Sequence, residues 1–247
     1  RLMCSIWFHQ LSRKMRKVFA QFKNVVAAVS EKSDGNQSFK IRGEGDVVDN
    51  RERYLKKLNV KLSQLVTASQ PHKNSVITVD QSQAGRGSRQ KEDWLEGYEG
   101  IVTATPGVVL GIETADCLPV FFFDPKQRIV ALAHAGWRSV VRGVAINVIK
   151  VMHESFGSRP ADVHAYIGPH IQKESFEIKD DVVQQFMRYP ERLHGEDGAL
   201  FVDLSGIVVD QLLSEGCVSD KIEISDIDTK TNSNFYSYRR EGRQLAG

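Results

Sequence analysis

The chain has 247 residues, 41% hydrophobic and 26% charged, and 33 Lys+Arg against 31 Asp+Glu leave a net charge of +2. That composition excludes a disordered or fibrous chain, and a balance so close to neutral gives no bulk electrostatic case for a nucleic-acid partner. Three widely spaced cysteines exclude a disulfide framework and point to a reducing, cytoplasmic compartment, and no apolar run approaches the roughly 18–20 residues that cross a bilayer.

In chain order, Arg1, Arg13, Lys14, Arg16, Lys17 and Lys23 make the first thirty residues basic, with no acidic residue among them. A transit peptide has such a bias. The alternative preferred here is a basic extension over residues 1–17 ahead of a strand at Val18–Val29. The chain opens on Arg1 rather than Met, which leaves room for residues before it. Asn50 is placed to cap a helix that gathers Tyr54, Leu55, Leu58, Leu62 and Leu65 on one face. Ser75–Asp80 reads as a strand. GIVTATPGVVLGIET reads as two strands broken by the turn Thr105-Pro106-Gly107. Ser139 is placed to cap a helix carrying Val141, Val144, Val148 and Met152. ADVHAYIG is a further strand. Helices follow near Asp180–Met187 and Ser205–Ser214, the latter closed by Gly216, and KIEISDI reads as a late strand. Strands and helices alternate without a regular βαβ rhythm. The expected fold class is therefore α+β: a single domain over 1–247, a mixed β-sheet with helices packed on it in an α/β sandwich.

The stretch ADCLPVFFFDPKQRIVALAHAGW, Ala115 to Trp137, carries a cysteine near its start and a histidine near its end. A type I turn at Asp124-Pro125-Lys126-Gln127 suits its first two residues. It pairs Phe123 with Arg128, and in the same register Cys117 with His134, on one face of a hairpin. A facing Cys and His can be inert core neighbours, a nucleophile and its base, or two ligands of a metal. Asp116 beside the cysteine, the small residues after the histidine, and a helix start with Arg138 and Arg142 favour a site over inert packing. Zinc accepts both ligand types, and a catalytic zinc keeps one position open. A third ligand is then required. His72, just before a strand, and His170, just after one, both qualify, and spacing does not choose between them.

Taken together, TADCLPVFFFDP, AHAGWRS, QPHKNSV, IGPHI and NFYSYRREGR resemble the laccase-domain family, first described as polyphenol oxidases and now read as zinc-dependent purine nucleoside phosphorylases. The resemblance runs from about Val25 to Gly247. It implies phosphorolysis of purine nucleosides (adenosine, inosine, guanosine, methylthioadenosine), with adenosine deamination as a further activity. It also implies Zn2+ held by His72, Cys117 and His134, and thus selects His72 over His170. The implied partners are a nucleoside and phosphate, with no nucleic acid and no membrane. Asp116, next to a ligand, is the candidate catalytic acid or base, with orientation of that ligand as its alternative task. Arg138 is a candidate for holding phosphate, and Lys32, Asn50 and Arg240 for lining the substrate pocket. Lys32 stands near where the family has an Arg, and a lysine makes no bidentate fork. Glu174 and Ser175, and later Asp228, stand where relatives have cysteines, and Ser139 where they have Gly. Three other readings remain: a metal-free hydrolase using Cys117 and His134, a copper-dependent polyphenol oxidase, for which seven histidines are few, and a non-catalytic interaction protein.

Overall fold

A computed structural model describes residues 2–7, 19, 21–22, 24–41 and 46–242. Most of the proposed basic extension lies outside the described residues. The elements that position the site are β1 (Leu2–Trp7), β2 (Val26–Val29), α1 (Val47–Lys57), β3 (Leu65–Thr67), β4 (Val76–Thr78), β5 (Gly100–Thr103), β6 (Val109–Thr114), β7 (Leu118–Asp124) and β8 (Ile129–Ala135). They are followed by α2 (Trp137–Val141), α3 (Val144–Phe156), β9 (His164–Ile167), β10 (Glu177–Ile178), α4 (Asp180–Val183), β11 (Leu193–Glu196), β12 (Ala199–Val202), α5 (Leu204–Ser214), β13 (Ile222–Ile224) and α6 (Tyr238–Glu241). The fold is mixed α/β, as expected. Among the described residues no helix is long and apolar enough to cross a membrane.

Two sheets stack between helices. One has the order β2-β1-β6-β3 and the other β13-β9-β7-β8-β5-β4, while β10-β12-β11 form a small third sheet. Side-chain alternation in the central hairpin sets the layers. Val120 and Phe122 of β7, with Ala131 and Ala133 of β8, pack under Val144, Val148 and Met152 of α3 and Ile207 and Val208 of α5. Their neighbours Phe121, Phe123, Val130 and Leu132 face the other way, against Ala27, Val66, Leu110 and Ile112 of the four-stranded sheet. The outer face of that sheet, through Val26, Ala28, Leu65 and Val109, is covered by Tyr54 and Leu55 of α1 and by Leu58 at its C-terminal cap. Because β7 and β8 are covered on both faces, their sequence is a continuous apolar run rather than an alternating one.

Several local expectations need correction. The cap of α1 is Asp46, whose carboxylate accepts from Val48 N and Asp49 N; Asn50 lies inside the helix, Leu62 in a 3-10 turn and Leu65 in β3. The carboxylate supplies the acceptor that the first helical amides need, four residues earlier in the chain than Asn50. The single helix expected after Ser139 is two. Gly143, at φ 76°, breaks it between α2 and α3, and Ser139 lies within α2 behind Gly136. Of the strand expected over Val18–Val29, whose first residue lies outside the described ones, Val26–Val29 forms a strand, while Phe22 N bonds Phe19 O in a turn. The hairpin register also differs. Asp124 pairs Ile129 and Pro119 pairs His134. The reason is at the turn. Asp124 Oδ1 accepts from Lys126 N at 2.8 Å and Gln127 N at 3.1 Å, and Arg128 takes φ 56°, so the loop between Asp124 and Ile129 holds four residues, two more than the expected two-residue turn.

Candidate metal centre

The corrected register keeps the parity of the expected one. Cys117 and His134 still point to the same side, toward the four-stranded sheet, but as diagonal neighbours with Gly136 between them. The glycine makes the diagonal usable. A Cβ built there would stand 2.8 Å from His72 Cδ2 and 3.1 Å from Cys117 Sγ. Chain topology brings the third residue in. β3 and β6 run parallel as neighbours and end at the same rim. The chain leaving β3 crosses to β4 of the other sheet through Gln70 (φ 53°) and His72 (φ 61°), and the chain leaving β6 crosses to β7 through Asp116 (φ 84°). The ligand atoms of His72, Cys117 and His134 all lie within 4.8 Å of one another, and their burial runs from exposed His72 through half-buried Cys117 to buried His134. The imidazoles of His72 and His134 meet edge to face, with centroids 5.0 Å apart. Two imidazoles and a thiol at this spacing are a donor set that fits a zinc-like ion.

Two further contacts hold the set. Glu99, buried completely, sits with Oε2 at 2.7 Å from His134 Nδ1, while its Oε1 accepts from Lys73 N at 2.9 Å. Arg142 reaches from the end of α2 to the carbonyl of His72, and Asn74 Nδ2 donates back to Arg142 O at 2.7 Å. Electrostatics within the cluster are those of an ion pair. Burial pushes the Cys117 thiol up, but His134 and His72 together outweigh it and bring it down to about 6. Burial pushes His134 down, but Cys117, aided by Glu99, raises it to about 9.

The cluster opens into a cavity of about 540 Å³. Phe176, Trp137, Tyr238 and Ile171 give it apolar walls, and Lys40, Arg138 and Arg239 bring positive charge. The Arg138 guanidinium stacks 4.1 Å over the Trp137 ring. Asp116 lines the cavity too, but Oδ1 takes the hydroxyl of Thr229 at 2.7 Å and Oδ2 the backbone N–H of Arg239 at 2.6 Å.

Other residues singled out in the sequence lie elsewhere. His170 is buried with Nδ1 2.7 Å from Gly168 O and belongs neither to the cluster nor to the cavity lining. Lys32 pairs with Glu241 and lies 5.1 Å from the Tyr236 ring centroid. Asn50 donates to Asn36 O at 2.9 Å. Arg240 ties down the carbonyls of Thr229 and Lys230, at 2.8 Å each. None of these three lines the cavity. Sequence reasoning gave no role to Lys40, Gln70, Phe176 or Arg239; Gln70 and Arg239 stand inside the segments QPHKNSV and NFYSYRREGR, whereas no local pattern marks Lys40 or Phe176. Glu99 directly precedes the strand segment that opens at Gly100, and the sequence assigns it no role of its own.

A family described as multi-copper polyphenol oxidoreductase laccase matches residues 24–247. The purine nucleoside phosphorylase YlmD of Bacillus subtilis (strain 168) is 32% identical over 249 residues, covering 97% of this chain and 89% of that protein. The adenosine deaminase RL5, from an unknown prokaryotic organism, is 30% identical over 203 residues, covering 79% and 77%. Among solved structures, YlmD from Geobacillus stearothermophilus aligns with a TM-score of 0.80 at 29% identity, over 86% of this chain and 81% of the other.

Proposed function

We propose, from the premise that the chain belongs to the multi-copper polyphenol oxidoreductase laccase family, that it cleaves purine nucleosides with phosphate at one zinc ion held by His72, Cys117 and His134. The observation that carries this is the convergence of those three donors on the floor of a cavity large enough for a nucleoside and an anion. A zinc ion so held supplies a Lewis acid with an open coordination position. The chain does the rest. Phe176, Tyr238 and Trp137 offer apolar surface to a purine and ribose, and Arg138, Arg239 and Lys40 supply the positive charge that an attacking phosphate needs near C1′. The purine leaves as phosphate bonds C1′, so a proton must reach the base. Asp116 has both oxygens engaged by Thr229 and Arg239, which supports an orienting task for it beside Cys117 rather than proton transfer.

Adenosine deamination is a second reading, favoured by the likeness to the adenosine deaminase RL5. A metal-free hydrolase finds support in the Cys117–His134–Glu99 alignment, but it gives His72 no task. Copper oxidation of phenols requires several ligand sets, and among the described residues His72, Cys117 and His134 form the one group of this kind.

The deciding experiment incubates purified protein with inosine, with and without phosphate, while metal content is measured by elemental analysis. Hypoxanthine release that needs both phosphate and zinc is expected. Release without phosphate, or undiminished in Cys117→Ser, would overturn the assignment.

A further inference from the structure

We propose that Glu99 is the positioning residue that locks both imidazole ligands into one unit and fixes the nitrogen His134 presents to the metal. The proposal rests on the metal-dependent function above. One carboxylate oxygen lies 2.7 Å from His134 Nδ1, and the other accepts the backbone N–H of Lys73, the residue after His72, at 2.9 Å. The backbone repeats the tie. His134 N donates to Glu99 O, and Glu99 N to Ser75 O, both at 2.9 Å. A single residue therefore joins the ligand on β8 to the loop that presents the ligand from the β3–β4 crossing.

The chemistry requires a carboxylate here. With Nδ1–H donated to Glu99, the imidazole keeps its lone pair on Nε2, the nitrogen left to face the cluster, and an outer carboxylate of this kind raises the basicity of the ligand. Lys73 N–H is a donor as well. Both groups facing Glu99 thus donate, and only an acceptor on each side satisfies both. Glu99 has no exposed surface, so bulk water cannot replace a lost acceptor. Glutamine, of the same shape, offers one acceptor and one donor. Its amide must either oppose the Lys73 N–H, releasing the His72 loop, or donate to His134 Nδ1, which drives the proton onto Nε2 and removes that ligand.

The test is Glu99→Gln in the full chain, with the zinc dissociation constant measured by competition against a chromogenic chelator at neutral pH. About 10–100-fold weaker binding is expected, with the near-UV circular dichroism of the metal-free variant retained. Independently of any variant, cadmium-113 loading of nitrogen-15-labelled wild type should give a metal–nitrogen coupling at His134 Nε2 and a slowly exchanging proton on Nδ1. Unchanged zinc affinity in a folded Glu99→Gln variant, or coupling at Nδ1, overturns the proposal while leaving the metal-dependent function standing. Wild-type protein that takes up neither ion overturns both, and does so before any variant is made.

Discussion

Arg51→Met removes the guanidinium from the interior while keeping the stem that packs there. Arg51 is buried completely, and its Nη2 lies 2.7 Å from Glu113 Oε1. Nε donates to Gln37 O at 2.8 Å, Nη1 to Gly87 O at 2.7 Å and Ser88 O at 3.1 Å, and the group lies 4.4 Å from the Phe39 ring centroid. Burial draws its pKa down, against the opposing pull of Glu113. Deleting one partner leaves a buried carboxylate with only the hydroxyl of Ser38 and takes the guanidinium donor from the carbonyls of Gln37, Gly87 and Ser88, of which Gly87 O keeps the Thr67 hydroxyl at 3.0 Å. Breaking a buried pair from one side costs about 3–5 kcal/mol. At about 2–4 °C per kcal/mol for a chain of this size, the midpoint falls by about 6–20 °C. Urea unfolding of the metal-free protein measures this without the stabilisation that bound metal adds. Adding Glu113→Gln neutralises the stranded group, so the double variant should be more stable than the sum of the singles by about 1–3 kcal/mol. A loss below about 1 kcal/mol for Arg51→Met, the range of an exposed pair, or a coupling of zero would refute the reasoning. The effect should also reach the metal centre. Gln70, two residues before His72, exchanges hydrogen bonds of 2.7 and 2.8 Å with the backbone of Glu113.

Gly136→Ala should lower zinc content well below one ion per chain, because the new Cβ collides with His72 and Cys117, while the metal-free midpoint stays close to wild type, since φ −67° suits alanine; full zinc content measured by elemental analysis would contradict this. In metal-free protein, Cys117 should react with iodoacetamide along a titration near pH 6, be protected by zinc, and leave Cys217 inert because burial pushes that thiol up to about 11; a profile centred near the ordinary thiol value would contradict it. Burial lowers the pKa of His170 below its ordinary value, so the unfolded chain takes up a proton below about pH 6.5 that the fold refuses. Its contribution is therefore fully present above that pH and lost as pH falls toward the folded value. His170→Gln should show a shallower loss of stability from pH 7.5 to 5.5, measured by urea unfolding, and an unchanged slope would count against it.

Periodicity was enough to recover the central layers. The two-faced apolar run of β7 and β8, and the spacing of Val144, Val148 and Met152, fall where the sequence pattern puts them. What local pattern does not hold is the pairing of the layers. β5 and β6 are joined by the short turn around Pro106 and read like a hairpin, yet β5 pairs with β8 in one sheet and β6 with β1 and β3 in the other. The short connection crosses between sheets. Only burial on both sides decides that, and burial is a property of the assembled chain. The cap of α1 was misplaced for a related reason. Asp46 and Asn50 are both good capping residues, and the choice between them follows from the buried bond of Asn50 to Asn36, far back in the chain.

The His72–Cys117–His134 cluster shows how far a register argument carries. A shift of one residue in a hairpin moves a side chain to the opposite face, whereas a shift of two residues in the pairing preserves it. Two extra loop residues, Gln127 and Arg128, produced the second case, so Cys117 and His134 remained on one side although they are not directly opposed. The third donor could not follow from that logic. His72 arrives because β3 lies beside β6, so two crossings between the sheets leave from the same rim. Glu99 arrives because β5 pairs Gly100 with Ala133, one step from His134. Both placements are consequences of strand order. A sequence fixes the partners of a site locally only when they share a strand or a turn, and here two of the four residues of the candidate centre, His72 and Glu99, reach it through the topology of the sheets.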